Sequence, residues 1–462
     1  MLDREQLAEA LRAALEQEPP SFPADLFELR DADIVEVLNH LTVPEAAHAL
    51  GHFPLPLAIR LCEQPELRRR PTILEQLEPA QAAAILEGLS SDDRAFVLRA
   101  MTPHGQHRML PTLSAVVRAE VETLLRYPPK TAGGIMTTEF VTLDPAMTVQ
   151  QALQHIRTVA AEKETIYACY VLEPGTDKLL GAVSLRDLLM ADAATLLPAV
   201  MRKKPIAVTV RDTHDVVAKK ISKYNLLAVP VLEDGGRVVG FVTVDDVIDL
   251  MVEDETDNAL RMGAVEPGAL DLPYMQTPFV EMVKKRATWL VVLFLGEMLT
   301  ATAMGHFEDE IAKAVVLALF VPLIISSGGN SGSQASTLII RAMALGEFRL
   351  TDWWKVARRE ILSGLALGTI LGAIGFLRIA LWSAFSDIYG PHWVLVALTV
   401  ALSLIGVVTW GTISGSMLPL ILRRLGADPA TSSAPFVATL VDVTGLVIYF
   451  TVAFVVMHGT IL

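Results

Sequence analysis

Cysteine is almost missing from this chain. Cys62 and Cys169 are the only two in 462 residues, too few and too far apart for a disulfide framework or a structural zinc site. The soluble part is therefore expected in a reducing compartment. Basic residues are also scarce, with 38 Lys and Arg against 52 Asp and Glu and a formal charge of −14. That balance argues against a nucleic-acid partner, which would need a basic face. The opening stretch "MLDREQLAEALRAALEQE" is charged throughout and lacks an apolar core, so it does not read as a secretory signal. No His-Glu-x-x-His stands on an apolar run, and no Gly-x-x-x-x-Gly-Lys-Ser/Thr occurs anywhere. A membrane metalloprotease and a nucleotide-driven pump both lose their chemistry by those absences. No catalytic residues are assigned, and the chain is not expected to be an enzyme.

Charge itself becomes rare after residue 286. Five runs are long enough to cross a bilayer as helices. They cover Ala287–Gly305 with one charge (Glu297), Ala314–Ile340 with none, Ile361–Trp382 with Arg378, Trp393–Leu422 with none, and Pro429–Met457 with Asp442. Basic residues mark alternate connections: Lys284, Lys285 and Arg286 before the first run, Arg341 to Arg359 after the second, Arg423 and Arg424 after the fourth. The other two loops, "HFEDEIAK" and "SAFSDIYGPH", are acidic or lack Lys and Arg. The positive-inside rule then puts the N-terminal half in the cytoplasm and the C-terminus outside a plasma (inner) membrane.

The part before residue 286 has two textures. From Leu41 a 12-residue period runs through Leu41, Phe53, Leu77, Leu89 and Met101, followed nine residues later by Leu50, Cys62, Leu86, Leu98 and Leu110. The unit at Pro65 breaks it. Short helices that cannot bury their own faces are expected to stack as an α-solenoid over residues 1–130. Residues 131–250 instead alternate short β-branched runs with helical stretches, and they repeat themselves. "LLGAVSLRDLL" at 179–189 matches "VVGFVTVDDVI" at 238–248. This doubled pattern resembles a tandem pair of CBS domains, an α/β module, with halves at 131–198 and 199–250. Ser184 and Asp187, and Thr243 and Asp246, fall where many such pairs hold an adenine nucleotide. The same Ser/Thr-x-x-Asp spacing is also an N-terminal helix cap.

Seven acids and no base lie between Asp245 and Asp257, on an expected helix that leads to the membrane, with the connecting helix itself expected over 251–283. Asp246, Asp249, Glu253 and Asp257 share one face at helical spacing, where like charges repel. Either this is a solvated face, or hard cations bound through oxygen relieve the repulsion. Asp428, in "RRLGADPA", faces the same choice between a cap and a ligand.

Within the spans, two features exceed greasiness. One is Asp442, since a carboxylate at the bilayer centre costs about 2.5–3.5 kcal/mol. The other is "SSGGNSGSQAST" at 326–337, whose Gly328, Gly329 and Gly332 allow close backbone approach or a break. Small-residue packing explains the glycines but leaves Asn330 and Gln334 unexplained. A pore lining explains both.

With "GGNSGSQAST" and "DPA…PFVATLVDVTGLVIYF" in view, nearly the whole chain resembles the MgtE family of magnesium channels and transporters. The resemblance implies a helical N domain, a CBS pair, a plug helix and an all-α membrane domain of five helices over 284–462, acting as a homodimer in the lipid bilayer. It implies import of Mg²⁺, with cytosolic Mg²⁺ closing the pore. Asp442, Ala438, Asn330, Gly328 and Gly329 would line the ion path. Asp246, Asp249, Glu253, Asp254, Asp257, Asp428, Asp92 and Asp93 would form the regulatory metal set, and the CBS pair could take ATP. Ser333 and Ala434 depart from members that carry Asn there. The alternative is a CBS-regulated sensor or a transporter of another divalent cation.

Overall fold

The structure, a computed structural model, describes residues 4–17, 22, 24–67, 69–266, 277–431 and 434–460. They fall into two compact units, residues 1–253 and 254–462.

Short helices in two rows open the first unit. Asp31–Asn39, Leu55–Glu63, Pro79–Gly88 and Pro103–Met109 form one row, and Val43–His52, Arg70–Gln76, Ser91–Ala100 and Ala115–Leu124 the other. Each packs on its next-but-one neighbour, as stacked units that share faces must. The 12-residue period has a local cause. Phe53, Leu77, Leu89 and Met101 each end a helix in extended conformation and point into the core. Proline or a hydroxyl then starts the next helix. Thr42, for example, caps Val43–His52, and Glu45 accepts from the Thr42 amide at 2.7 Å. Two buried arginines satisfy the carbonyls that the helix ends leave open. Arg70 donates to Cys62 O at 2.8 Å, and Arg94 to Leu86 O at 2.7 Å.

Two small sheets follow. In the first, β1 (Val141–Leu143) runs parallel to β2 (Ala168–Leu172), which pairs antiparallel with β3 (Leu179–Ser184); β4 (Arg202–Lys203) closes the edge. The second repeats the plan with β5 (Val208–Thr209), β6 (Ala228–Leu232) and β7 (Val238–Thr243). The two repeated sequence stretches are β3 and β7 with the helices they feed, Leu185–Met190 and Val244–Met262. The halves interlock. Thr137 exchanges backbone hydrogen bonds with Phe241 of β7 at 2.9 and 3.0 Å, while β4 crosses to β3. The helix after β7 is continuous over 19 residues, so no break separates the second half from the acidic stretch.

Among the described residues of the second unit, five helices are long and apolar enough to cross a membrane: Phe279–His306, Val315–Ala344, Leu350–Ser383, Trp393–Arg424 and Ala434–Met457. The glycine-rich stretch of the second span stays helical within Val321–Ala344, and the irregular turn sits earlier, as a 3₁₀ segment at Val315–Phe320. The Tyr449 hydroxyl donates to Leu317 O there at 2.8 Å. The glycines bring backbones together. A Cβ on Gly415 of the fourth span would lie 2.0 Å from Gly332 O, and one on Gly411 2.4 Å from Gly328 O. Third and fourth spans meet the same way, since a Cβ on Gly368 would stand 2.7 Å from Ile405 Cα. The first span differs, having no buried residue and packing mainly on the last span.

Candidate ion path and cation-sensing carboxylates

Asp442 sits one turn beyond Ala438 on the last span and is half-buried. Gly329 faces both. A Cβ on Gly329 would stand 3.5 Å from Ala438 Cα and 3.8 Å from Asp442 Oδ1, an ordinary contact, so the second span lies beside the carboxylate without close packing at this glycine. Gly328 points elsewhere. Its absent Cβ would meet Val407 at 2.5 Å and Val441 at 2.8 Å, which makes it a packing glycine. Asn330 is exposed, and its amide donates to Ser326 Oγ at 3.4 Å. The two positions that depart from the MgtE pattern touch each other, because the Ser333 hydroxyl donates to Ala434 O at 3.2 Å.

Glu297 was visible in the sequence only as the single charge of its run, yet it faces Asp442. Among the described residues no Lys, Arg or His charge acts on Asp442. The signal that could have found Glu297 is its position, as a lone carboxylate at span depth.

A second carboxylate group forms in the first unit. Asp92, Glu164 and Asp246 each offer an oxygen within 4.8 Å of the others. Asp92 starts helix Ser91–Ala100, Asp246 starts Val244–Met262, and Glu164 follows the 3₁₀ turn Ala160–Glu162. Their register is fixed next door, where the Thr138 amide donates to Ser91 Oγ at 2.8 Å. Asp92 Oδ1 is buried without a hydrogen-bond partner. Burial first, and then the charges of Asp246, Glu164 and Asp93, hold the Asp92 carboxyl well above the usual carboxylate range. Burial likewise pushes Asp246 up to about 6, against the hydrogen bond from Thr243, with Asp245 and Asp93 adding repulsion. Glu164, on the solvent side, is raised by desolvation and by Asp246. Three carboxylates in this arrangement suit a hard cation. Sequence spacing gave no hint of Glu164.

The other expected ligands are distributed differently. Asp93 pairs with buried Arg70 at 2.9 Å and so already has a counter-charge. Asp249 is raised by burial first, with Glu66 and Asp245 nearby. Glu253 is exposed, and Asp254 is partly exposed on the same helix. In the second unit, Arg261 lies 3.7 Å from Asp257 and forms an ion pair with Asp428, which also caps Ala430 N at 2.9 Å. At the CBS pair, Ser184 and Asp187 make a reciprocal cap at 3.1 and 3.4 Å. Asp246 accepts from the Thr243 amide at 3.4 Å and from its hydroxyl. Asp246 thus serves both a helix start and the carboxylate cluster.

Comparison with known proteins covers both units. Family profiles match as a divalent cation transporter over residues 321–452, an MgtE intracellular N domain over 29–130, and CBS domains over 132–194 and 199–253. The chain is similar to the magnesium transporter MgtE of Thermus thermophilus, 39% identical over 367 residues and 79% of either chain. It is similar to the magnesium transporter MgtE of Enterococcus faecalis at 32% identity, over 73% of this chain and 72% of that one. Among solved structures it is similar to the cytosolic domain of the Mg²⁺ channel MgtE in complex with ATP. That match is 34% identical, covers 53% of this chain and 100% of the other, and has a TM-score of 0.49.

Proposed function

Because the chain belongs to the MgtE family of magnesium transporters, we propose that it is a homodimeric Mg²⁺-selective channel that imports the ion and closes when cytosolic Mg²⁺ rises. The observation that carries this reading is Asp442, a span-depth carboxylate set against the backbone of the second span with no cationic partner among the described residues. A permeating divalent cation answers that charge. Mg²⁺ gives up its waters reluctantly, so a fitting path grips the hydrated ion by hydrogen bonds, from Asp442, the Ala438 carbonyl and Asn330, with Gly329 beside them. Gly328 supports the wall by packing. One Asp442 per chain makes a thin ring, and a symmetric pair of chains supplies two. The alternation of basic loops puts the N-terminus in the cytoplasm and the C-terminus outside.

Gating follows from the second carboxylate group. Without Mg²⁺, Asp92, Glu164 and Asp246 repel, and the stripe of Asp249, Glu253, Asp254 and Asp257 adds to the strain. Mg²⁺ bound among them, and at Asp428, favours a compact closed state through its preference for that state alone. Several weak sites sum to the few kcal/mol that invert a two-state population. Asp93, neutralised by Arg70, supports the fold more than the ion. ATP is the ligand we assign to the CBS pair, at Ser184, Asp187, Thr243 and Asp246.

The deciding experiment is Mg²⁺ flux in liposomes. Asp442→Ala should abolish it while the protein still assembles, since removing a midplane charge favours insertion. Wild-type flux from an assembled Asp442→Ala protein would remove this residue from the path. Competition by other divalents in the same assay separates Mg²⁺ selectivity from transport of another ion.

A further inference from the structure

The first span approaches the last at one crossing. A Cβ on Gly296 would stand 3.0 Å from Thr439 Cγ2. The next residue, Glu297, leaves the helix beside that crossing and, with Leu290, Phe294 and Thr439, lines an open groove of about 600 Å³. Thr439 and Asp442 are three residues apart in one helix and share a face. Glu297 is exposed in the protomer, and its carboxyl is within hydrogen-bonding reach of Asp442.

Simple explanations of Glu297 fail on energy. A glutamate turned to lipid at this depth is costly and gains nothing. A structural ion pair would require a base, and none among the described residues acts on Asp442 beside it. Two carboxyls side by side in low dielectric are stable only with a proton or a cation between them. The channel's own cargo is such a cation.

We propose that Glu297 is a second carboxylate of the ion path, acting on the hydrated divalent cation beside Asp442 and sharpening discrimination against monovalent ions. The proposal rests on the reading of Asp442 as a path residue. A dimer then presents four carboxylates at this depth. Since Coulomb attraction scales with ion charge, each added carboxylate favours a divalent ion over a monovalent one.

The test uses the full chain in liposomes, with flux measured against external Mg²⁺ and with the reversal potential under Mg²⁺/K⁺ gradients. Glu297→Gln keeps the shape and removes the charge. It should raise half-saturating Mg²⁺ by about three- to tenfold, and shift the reversal potential toward K⁺. The midpoint for closure by cytosolic Mg²⁺ should not move. An assembled Glu297→Gln channel with wild-type half-saturation and reversal potential overturns the proposal. If that variant does not assemble, Glu297→Cys decides, because the native Cys62 and Cys169 are buried. A cationic thiol reagent should then block flux and an anionic one restore it; equal effects overturn the proposal. Asp442→Asn run in parallel separates the two readings. If Asp442→Asn conducts normally, the path reading itself fails. If it does not conduct while Glu297→Gln is wild type, only the role of Glu297 falls.

Discussion

Asp92 and Asp246 are raised in the folded unit above the values they would have unfolded, so the folded unit holds more protons. Without divalent cations the stability that these carboxyls contribute is fully present at acid pH and is lost as pH rises from about 4 through about 6, the raised value of Asp246. In chelator, the melting temperature of the first unit within the full chain should rise as pH falls from 7.5 toward 5.5 by the same linkage. Millimolar Mg²⁺ should flatten that slope by neutralising the group another way. A flat profile in chelator would mean the three carboxylates do not meet as described. Asp92→Asn should stabilise the chelated protein, on the order of 1 kcal/mol or more, and should weaken its response to Mg²⁺. At this scale the sequence was legible where contrast was local. Asp442 stands out because 29 residues around it carry no other charge. Glu164 does not, and Glu297 shows only as the lone charge of its run, because their meaning comes from partners 82 and 145 residues away, and no local pattern records that distance.

Among whole elements, five spans and the doubled strand–helix unit could be read directly, since both are written as periodic or charge-free runs. The inner detail could not. Glycines at 328–332 are compatible with a break or with close approach, and only the facing backbone of the fourth span decides for close approach. The test is steric. Gly415→Val would drive a side chain into Gly332 O, a backbone atom that cannot swing aside, and overpacking there should cost about 1–3 kcal/mol or more. The assembled fraction on size exclusion should fall, while Gly305→Ala, with nothing within 4 Å, should leave it unchanged. Equal behaviour of the two variants would refute the contact. The helix Val244–Met262 carries the acidic stripe without interruption. Changing Asp246, Asp249 and Asp257 together to Asn should remove its repulsion without supplying bridges. Flux should then lose its dependence on cytosolic Mg²⁺. Closure of this triple variant at wild-type Mg²⁺ would place the sensor elsewhere.

For the molecule as a whole, basic residues on alternate loops require the two termini to lie on opposite sides of the membrane. A tag following Leu462 should be labelled from outside intact cells and a tag preceding Met1 should not, and the reverse would overturn the loop-charge reading. The loosely held first span bears on synthesis as well. Its principal packing neighbour is the last span to be made, and Asp442 leaves the ribosome 145 residues after Glu297. At about 5–20 residues per second that gap lasts roughly 7–30 s. For that time a helix with an unanswered glutamate must wait at the translocon or in lipid, since the helix that carries Asp442 is not yet made. The residue that would serve the finished channel therefore burdens its biogenesis. A Glu297→Gln chain should be released from the insertion machinery sooner, which crosslinking of stalled nascent chains would show directly.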